Sequence, residues 1–206
     1  MRPIVKHIAA LALGLPLWGS AGTAAVEPRM AVAVPSASDL DALLWPAGAA
    51  ARRVDQYGVA LTAADLRDRI VAVSFVAPDC AIVCVARTLD LERVAQSLPD
   101  GLRERAVFLA IGFGGSSEAL RAFAHGTVGA RPRLRVLSGD PAWSTALARM
   151  LRYPATALPE PPPQILLFDR RGAVASNYGG DPVDRPRLAG DIALLDTFAQ
   201  GLDAPR

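Results

Sequence analysis

Cys80 and Cys84 are the only cysteines in a chain of 206 residues. They stand at C-x-x-x-C spacing, directly after the apolar run Ile70–Ala77 and at the head of a stretch with helical periodicity. Residues i and i+4 of a helix share one face, so the spacing predicts two sulfurs converging on one point. Cys80 would lie at the positive end of the helix dipole, which favours a thiolate and with it nucleophilic attack or metal binding. Asp79, beside it, opposes that effect by charge repulsion or serves as a helix cap. A loop of three intervening residues restricts the unfolded chain little, so a purely structural staple is a poor account of the pair. The chemistry indicated is a redox dithiol, a soft-metal site, or both. Two thiolates suit Cu(I), whereas Cu(II) favours nitrogen and oxygen donors in tetragonal geometry.

Few other residues offer themselves to such a site. The chain holds two histidines, His7 and His125. His7 falls in an N-terminal leader, and His125 reads as a solvated residue at a helix end rather than a ligand. Trp45 and Trp143 read as packing residues.

The charge is not distributed evenly. There are 22 Lys and Arg against 20 Asp and Glu, and the single lysine is Lys6. No acid precedes Glu27, so without Arg2 and Lys6 the remaining 20 arginines face 20 acids. Such a balance excludes nucleic-acid binding, which needs a clustered excess of positive charge. Arg2 and Lys6 precede the apolar stretch Ile8–Gly19, and small residues follow through Ala25. This is the layout of a cleavable signal peptide over residues 1–25. The stretch falls short of the roughly 20 residues that span a bilayer, so an uncleaved N-terminus is the sole membrane attachment to be expected. The remainder is expected to be periplasmic, in a compartment where disulfides persist.

The elements that must position the cysteines can be read in turn. Residues 26–45 are expected to be a linker and a short helix (39–45), with the folded domain over 46–206. Val54–Gly58 reads as a strand end and turn, and Thr62 as a helix N-cap. Ile70–Ala77, nearly all-apolar, and Ala106–Gly112 have the character of strands buried on both faces. Helices are expected over Cys80–Leu98, with Val83, Leu91, Val94 and Leu98 inward, and over Ser116–Ala124, Pro141–Leu151 and Asp191–Leu202. Leu134–Leu137 reads as a short strand and Arg152–Pro163 as a proline-rich loop. Gln164–Asp169 and Ala173–Tyr178 flank a short turn and must pair antiparallel. The alternation predicts an α/β architecture, a mixed sheet flanked by helices, whose β-α-β part is parallel.

Pro78-Asp79-Cys80-Ala81-Ile82-Val83-Cys84, between strand and helix, resembles the cysteine motif of the Sco/SenC family. Those proteins are thioredoxin-like in fold and are copper-binding factors for assembly of cytochrome c oxidase. Asp55-Gln56-Tyr57-Gly58 with Leu61-Thr62 is similar to the family's opening hairpin, Leu137-Ser138-Gly139-Asp140 to its LTG segment, and Ile165–Gly172 to its late strand and turn. The resemblance covers roughly residues 50–200. It implies a central mixed sheet of thioredoxin type, with Pro163 at the place of the cis-proline that faces the cysteines.

The departures carry chemical meaning. The family's third copper ligand is a histidine about eight residues before the late-strand aspartate, and counting back from Asp169 gives Pro161. Ala81 and Val85 stand where prolines usually follow the cysteines, and Gly112–Ser116 replaces an acidic motif. The expectation is an exported protein working through Cys80 and Cys84 in thiol–disulfide exchange, on an exported cysteine-containing or copper-site partner. Cys80 would attack and Cys84 would resolve. The alternatives are a Cu(I) metallochaperone using the two thiolates alone, and a binding module whose chemistry has faded. A peroxiredoxin-type peroxidase is excluded. It needs Ser or Thr three residues before its cysteine and proline four further back, where this chain has Ala77 and Val73, or Ala81 and Ala77.

Overall fold

The computed structural model describes residues 39–46, 53–80, 82–154, 157, 160–179 and 182–203. The leader expected over 1–25 and the linker that follows it to residue 38 lie outside the described residues. Among the described residues no helix is long and apolar enough to cross a membrane.

Five strands form one sheet: β3 (Ile70–Val76), β4 (Ala106–Gly112), β5 (Leu134–Leu137), β6 (Gln164–Phe168) and β7 (Val174–Gly179). Their order is β5-β4-β3-β6-β7, and β1 (Arg53–Val54) and β2 (Ala60–Leu61) make a separate small hairpin. β3, β4 and β5 run parallel, while β6 is antiparallel to both β3 and β7. The mixed sheet is the one expected. It places the end of β3, where the cysteines follow, at the centre of the sheet.

Every residue of β3 is buried, and alternate residues serve opposite faces. Ile70, Ala72 and Val76 join one core with Leu91 and Val94 of α3 (Ile82–Ser97), Leu120 of α5 (Ser117–Val128), and Leu188 and Ile192 of α7 (Arg185–Asp203). Val71, Val73 and Phe75 join the other core with Leu40, Leu43 and Leu44 of α1 (Asp39–Leu44), Leu66 of α2 (Ala63–Leu66), and Trp143 and Leu147 of α6 (Pro141–Met150). The core therefore extends N-terminal of residue 46 through α1. Trp143 Nε1 donates to the Leu43 carbonyl at 3.0 Å, and the Arg53 guanidinium stacks 3.6 Å from the Trp143 ring centroid. Trp143 packs, as expected. Phe75 and Phe113 meet edge to face at 5.6 Å.

Away from the cysteines, three elements differ from expectation for physical reasons. A short helix, α4 (Asp100–Arg105), follows Pro99 where none was read; it is barely more than one turn, contains Gly101, and buries Leu102 alone. α5 runs on through Gly126 to Val128 and stops at Gly129, whose φ is +80°. α7 starts six residues early because Asp184 caps it, its Oδ1 accepting from Arg187 N–H at 3.1 Å, with Pro186 in the first turn.

Arg105 Nε and Nη2 donate to the two oxygens of Asp196 at 2.6 and 2.7 Å, joining α4 to α7. That bidentate bond holds the Asp196 carboxyl below the usual carboxylate range. A folded-state pKa lowered in this way contributes stability above the unfolded value, about 3.9, and loses it as pH falls through the folded value. Asp196→Asn should therefore lower Tm at pH 6, by an amount that shrinks as pH falls below about 3.9, as thermal unfolding across the acid range will read.

Candidate functional site

β3 ends at Val76, and the chain turns through Ala77-Pro78-Asp79 with Cys80 N–H bonded to the Ala77 carbonyl at 3.2 Å. α3 begins at Ile82, so Cys80 lies in the turn before the helix and not within it. The prolyl turn and this bond hold Cys80 outside helical hydrogen bonding, and the helix starts two residues later than the spacing predicted. Convergence survives the change. Cys80 and Cys84 form a disulfide with a Cα–Cα separation of 5.8 Å. Cys80 is half-buried, whereas Cys84 is 3 % exposed in the first turn of α3 with its Sγ 4.0 Å from the Phe75 carbonyl oxygen.

Two glycine-dependent contacts shape the ground under the turn. Gly114 and Gly115 have φ of +68° and +75°, the left-handed region that glycine enters without a Cβ penalty. Gly115 lies against Pro78 so closely that a Cβ would collide with the proline ring. The Gly112–Ser116 segment, which departs from the family's acidic motif, thus serves as a backbone support for the turn. Gly139 likewise has no room for a Cβ, which would strike the Gly112 carbonyl oxygen.

Opposite the disulfide stands the end of the proline-rich loop. A small cleft of about 120 Å³ is lined by Cys80, Val83, Cys84, Arg87, Tyr153, Glu160, Pro161 and Pro163. The structure thus brings together the three residues singled out from sequence: Cys80, Cys84 and Pro163. Pro161, which stands in the position of the family's histidine, faces the same sulfurs. His125 is not at the cleft; it is exposed on α5, its ring edge-on to Tyr57 at 5.7 Å. Among the described residues no group of three His, Cys, Asp or Glu side chains has the spacing to hold a metal ion. Two reduced sulfurs alone fit soft, low-coordinate Cu(I) and do not fit Cu(II).

Arg87, Tyr153 and Glu160 were not found by reading the sequence. Arg87 is buried, and its Nη1 donates to the Pro162 carbonyl at 3.5 Å, tying α3 to the loop. Burial pushes the Tyr153 phenol up, and Glu160 adds to that rise. The phenol is therefore neutral in ordinary buffers and available as a hydrogen-bond donor. For Arg87 a signal existed in the chain: it lies three residues after Cys84, on the same helical face. Val83, expected inward, is 47 % exposed and Ile82 is 82 % exposed, so the segment between the cysteines presents apolar side chains to solvent.

In sequence the chain matches no protein-family model and no curated protein. In structure it is similar to a SCO1/SenC family lipoprotein from Bacillus anthracis, at 17% identity and TM-score 0.59, over 70% of this chain and 92% of that one. It is similar to copper-bound ScoI of Bradyrhizobium japonicum at 19% identity and TM-score 0.55, over 70% and 96% of the two chains. A third similar structure is BsSco, a member of the Sco family of cytochrome c oxidase assembly proteins in which a disulfide switch was identified. There the identity is 14% and the TM-score 0.57, over 71% and 91% of the chains. With the strand order above, these likenesses show the thioredoxin-like fold.

Proposed function

We propose that this chain is an exported Sco/SenC-like protein that works by thiol–disulfide exchange through Cys80 and Cys84, in support of copper-site assembly of the cytochrome oxidase type. The observation that carries the reading is the asymmetry of the pair: a half-buried Cys80 sulfur joined to a Cys84 sulfur enclosed by the core. A partner thiolate attacks Cys80 Sγ, the S–S bond breaks, and its electron pair leaves on Cys84 Sγ. A second partner thiolate then attacks its own mixed-disulfide sulfur and releases Cys80. The partner dithiol has become a disulfide, and the chain has gained two electrons and, at neutral thiols, two protons. The reverse sequence reduces a partner disulfide, with Cys80 attacking and Cys84 resolving.

The partner is an exported protein with paired cysteines, a copper-site protein in the proposed pathway. The similarity to BsSco and to copper-bound ScoI supports that choice, as does the signal-peptide layout of residues 1–25. The convergence of two sulfurs also favours a second reading, in which the reduced pair carries Cu(I) with a partner supplying any third ligand. Glutathione redox titration of the purified protein, beside titration with Cu(I), separates the two. Reversible exchange without Cu(I) binding is the expected result. A dithiol that does not re-form its disulfide overturns the exchange reading, and Cu(II) binding with intense thiolate-to-copper absorption contradicts the role assigned to Pro161.

A further inference from the structure

Arg87 carries a positive charge in the interior, at 4 % exposure, and burying a guanidinium costs free energy that its surroundings must offset. It stands three residues after Cys84 on α3, so the two side chains neighbour each other on one helix face. Arg87 lines the same cleft as both cysteines. While the disulfide is closed the sulfurs are uncharged. When the S–S bond opens, an electron pair arrives on Cys84 Sγ, in surroundings where water screens charge poorly and Arg87 is the nearby cation.

Resting on the exchange reading above, we propose that Arg87 is the positioning residue that holds the departing Cys84 sulfur as a thiolate and thereby makes the dithiol a better oxidant of its partner. In that step the partner sulfur bonds to Cys80, the Cys80–Cys84 bond breaks, and the charge comes to rest on Cys84 beside the guanidinium. A better-stabilised leaving thiolate departs faster, and a stabilised reduced form raises the reduction potential. The bond from Arg87 to the Pro162 carbonyl ties the guanidinium to the proline-rich loop that lines the cleft opposite the disulfide. Among the described residues, the other ionisable groups at the cleft are Glu160, exposed at the rim, and Tyr153, neutral in the relevant range; Asp79 is exposed on the turn beside Cys80. The two carboxylates oppose Arg87, but both are solvated, and solvated charges act weakly. Asp90, on the next turn of α3, is paired with Arg93 and Arg185.

The test measures two quantities on the full chain: the equilibrium constant with glutathione, and the Cys84 thiol pKa in a Cys80→Ser background. Arg87→Gln should raise that pKa by about one to three and shift the equilibrium toward disulfide about tenfold or more, by the usual effect of an opposite charge at contact. Arg87→Lys, which keeps the charge, should recover most of both shifts. A folded Arg87→Gln protein with both quantities within twofold of the parent overturns the inference. The background pKa needs no Arg87 variant: a value well below the ordinary thiol value of about 8.5 supports the inference, and one at or above it overturns it. Failure of the exchange reading looks different, because the parent protein itself would then not equilibrate with glutathione.

Discussion

Cys84→Ala is expected to turn an exchanging protein into a trapping one. Its remaining thiol, Cys80, is the half-buried sulfur, while the sulfur that would resolve a mixed disulfide is gone. Incubation with oxidised glutathione or a disulfide-bearing peptide should therefore load Cys84→Ala to one equivalent, visible by mass, with no turnover. Cys80→Ala should lose turnover as completely and remain largely unloaded, because Cys84 is enclosed between β3 and α3 at 3 % exposure. Equal loading of both variants would show that the asymmetry does not govern attack, and the roles given to the two sulfurs would fall. Neither variant should unfold. The chain-entropy relation for so short a loop gives the disulfide about 2 kcal/mol at most, a fraction of the stability of an ordinary domain. Loss of exchange with an intact fold separates chemistry from collapse.

The trapping experiment depends on residues that were easy to see. Cysteine occurs only twice in this sequence, its neighbours on one side form a strand that is apolar but for Ser74, and a proline breaks the strand just before it. Each of these is a local signal, and together they put the pair at the centre of a sheet. The strands were legible for a similar reason: Ala106–Gly112 and Leu134–Leu137 form as read, the first apolar throughout and the second interrupted only by Arg135. Pro163 was placed by resemblance and lies in the cleft with both sulfurs.

α3 shows where sequence reading ran out. An ordinary surface helix hides one apolar stripe, yet α3 buries Arg87, Thr88, Asp90 and Glu92 along with Leu91, Val94 and Ala95. It lies against the sheet and also contacts α5 and α7, so it buries residues on more than one side. Polar residues on such a helix are satisfied by partners remote in sequence, such as the loop at Pro162 for Arg87 and the start of β5 for Glu92. A periodicity argument assigns those positions to water, because no local pattern announces a distant backbone group. The cleft's polar lining was hidden in this way, while its sulfurs were plain.

Glu92 measures how much rests on these distant partners. Its carboxylate is 5 % exposed and accepts from the backbone N–H of Arg133 at 3.0 Å and of Leu134 at 2.8 Å, and Gln96 Nε2 donates to it at 2.6 Å. These bonds cap the first residues of β5, the strand at one end of the five-stranded sheet, at a point where Leu134 is fully buried. Glu92→Ala removes the acceptor and leaves the Leu134 N–H without it in a dry setting. A hydrogen bond to a charged group contributes about 1.5–3 kcal/mol, so losing this cluster should cost about 3 kcal/mol. For a domain of this size that lowers Tm by roughly 6–12 °C. Glu92→Gln keeps one acceptor oxygen for Leu134 but turns an amide N–H₂ toward the other donors, so its loss should be about half as large. If Glu92→Ala unfolded at the parent's temperature, the carboxylate would be a bystander and β5 would be held by its pairing with β4 and its bonds to Asp55 and Gln56. The expected order of stability is parent, then Gln, then Ala.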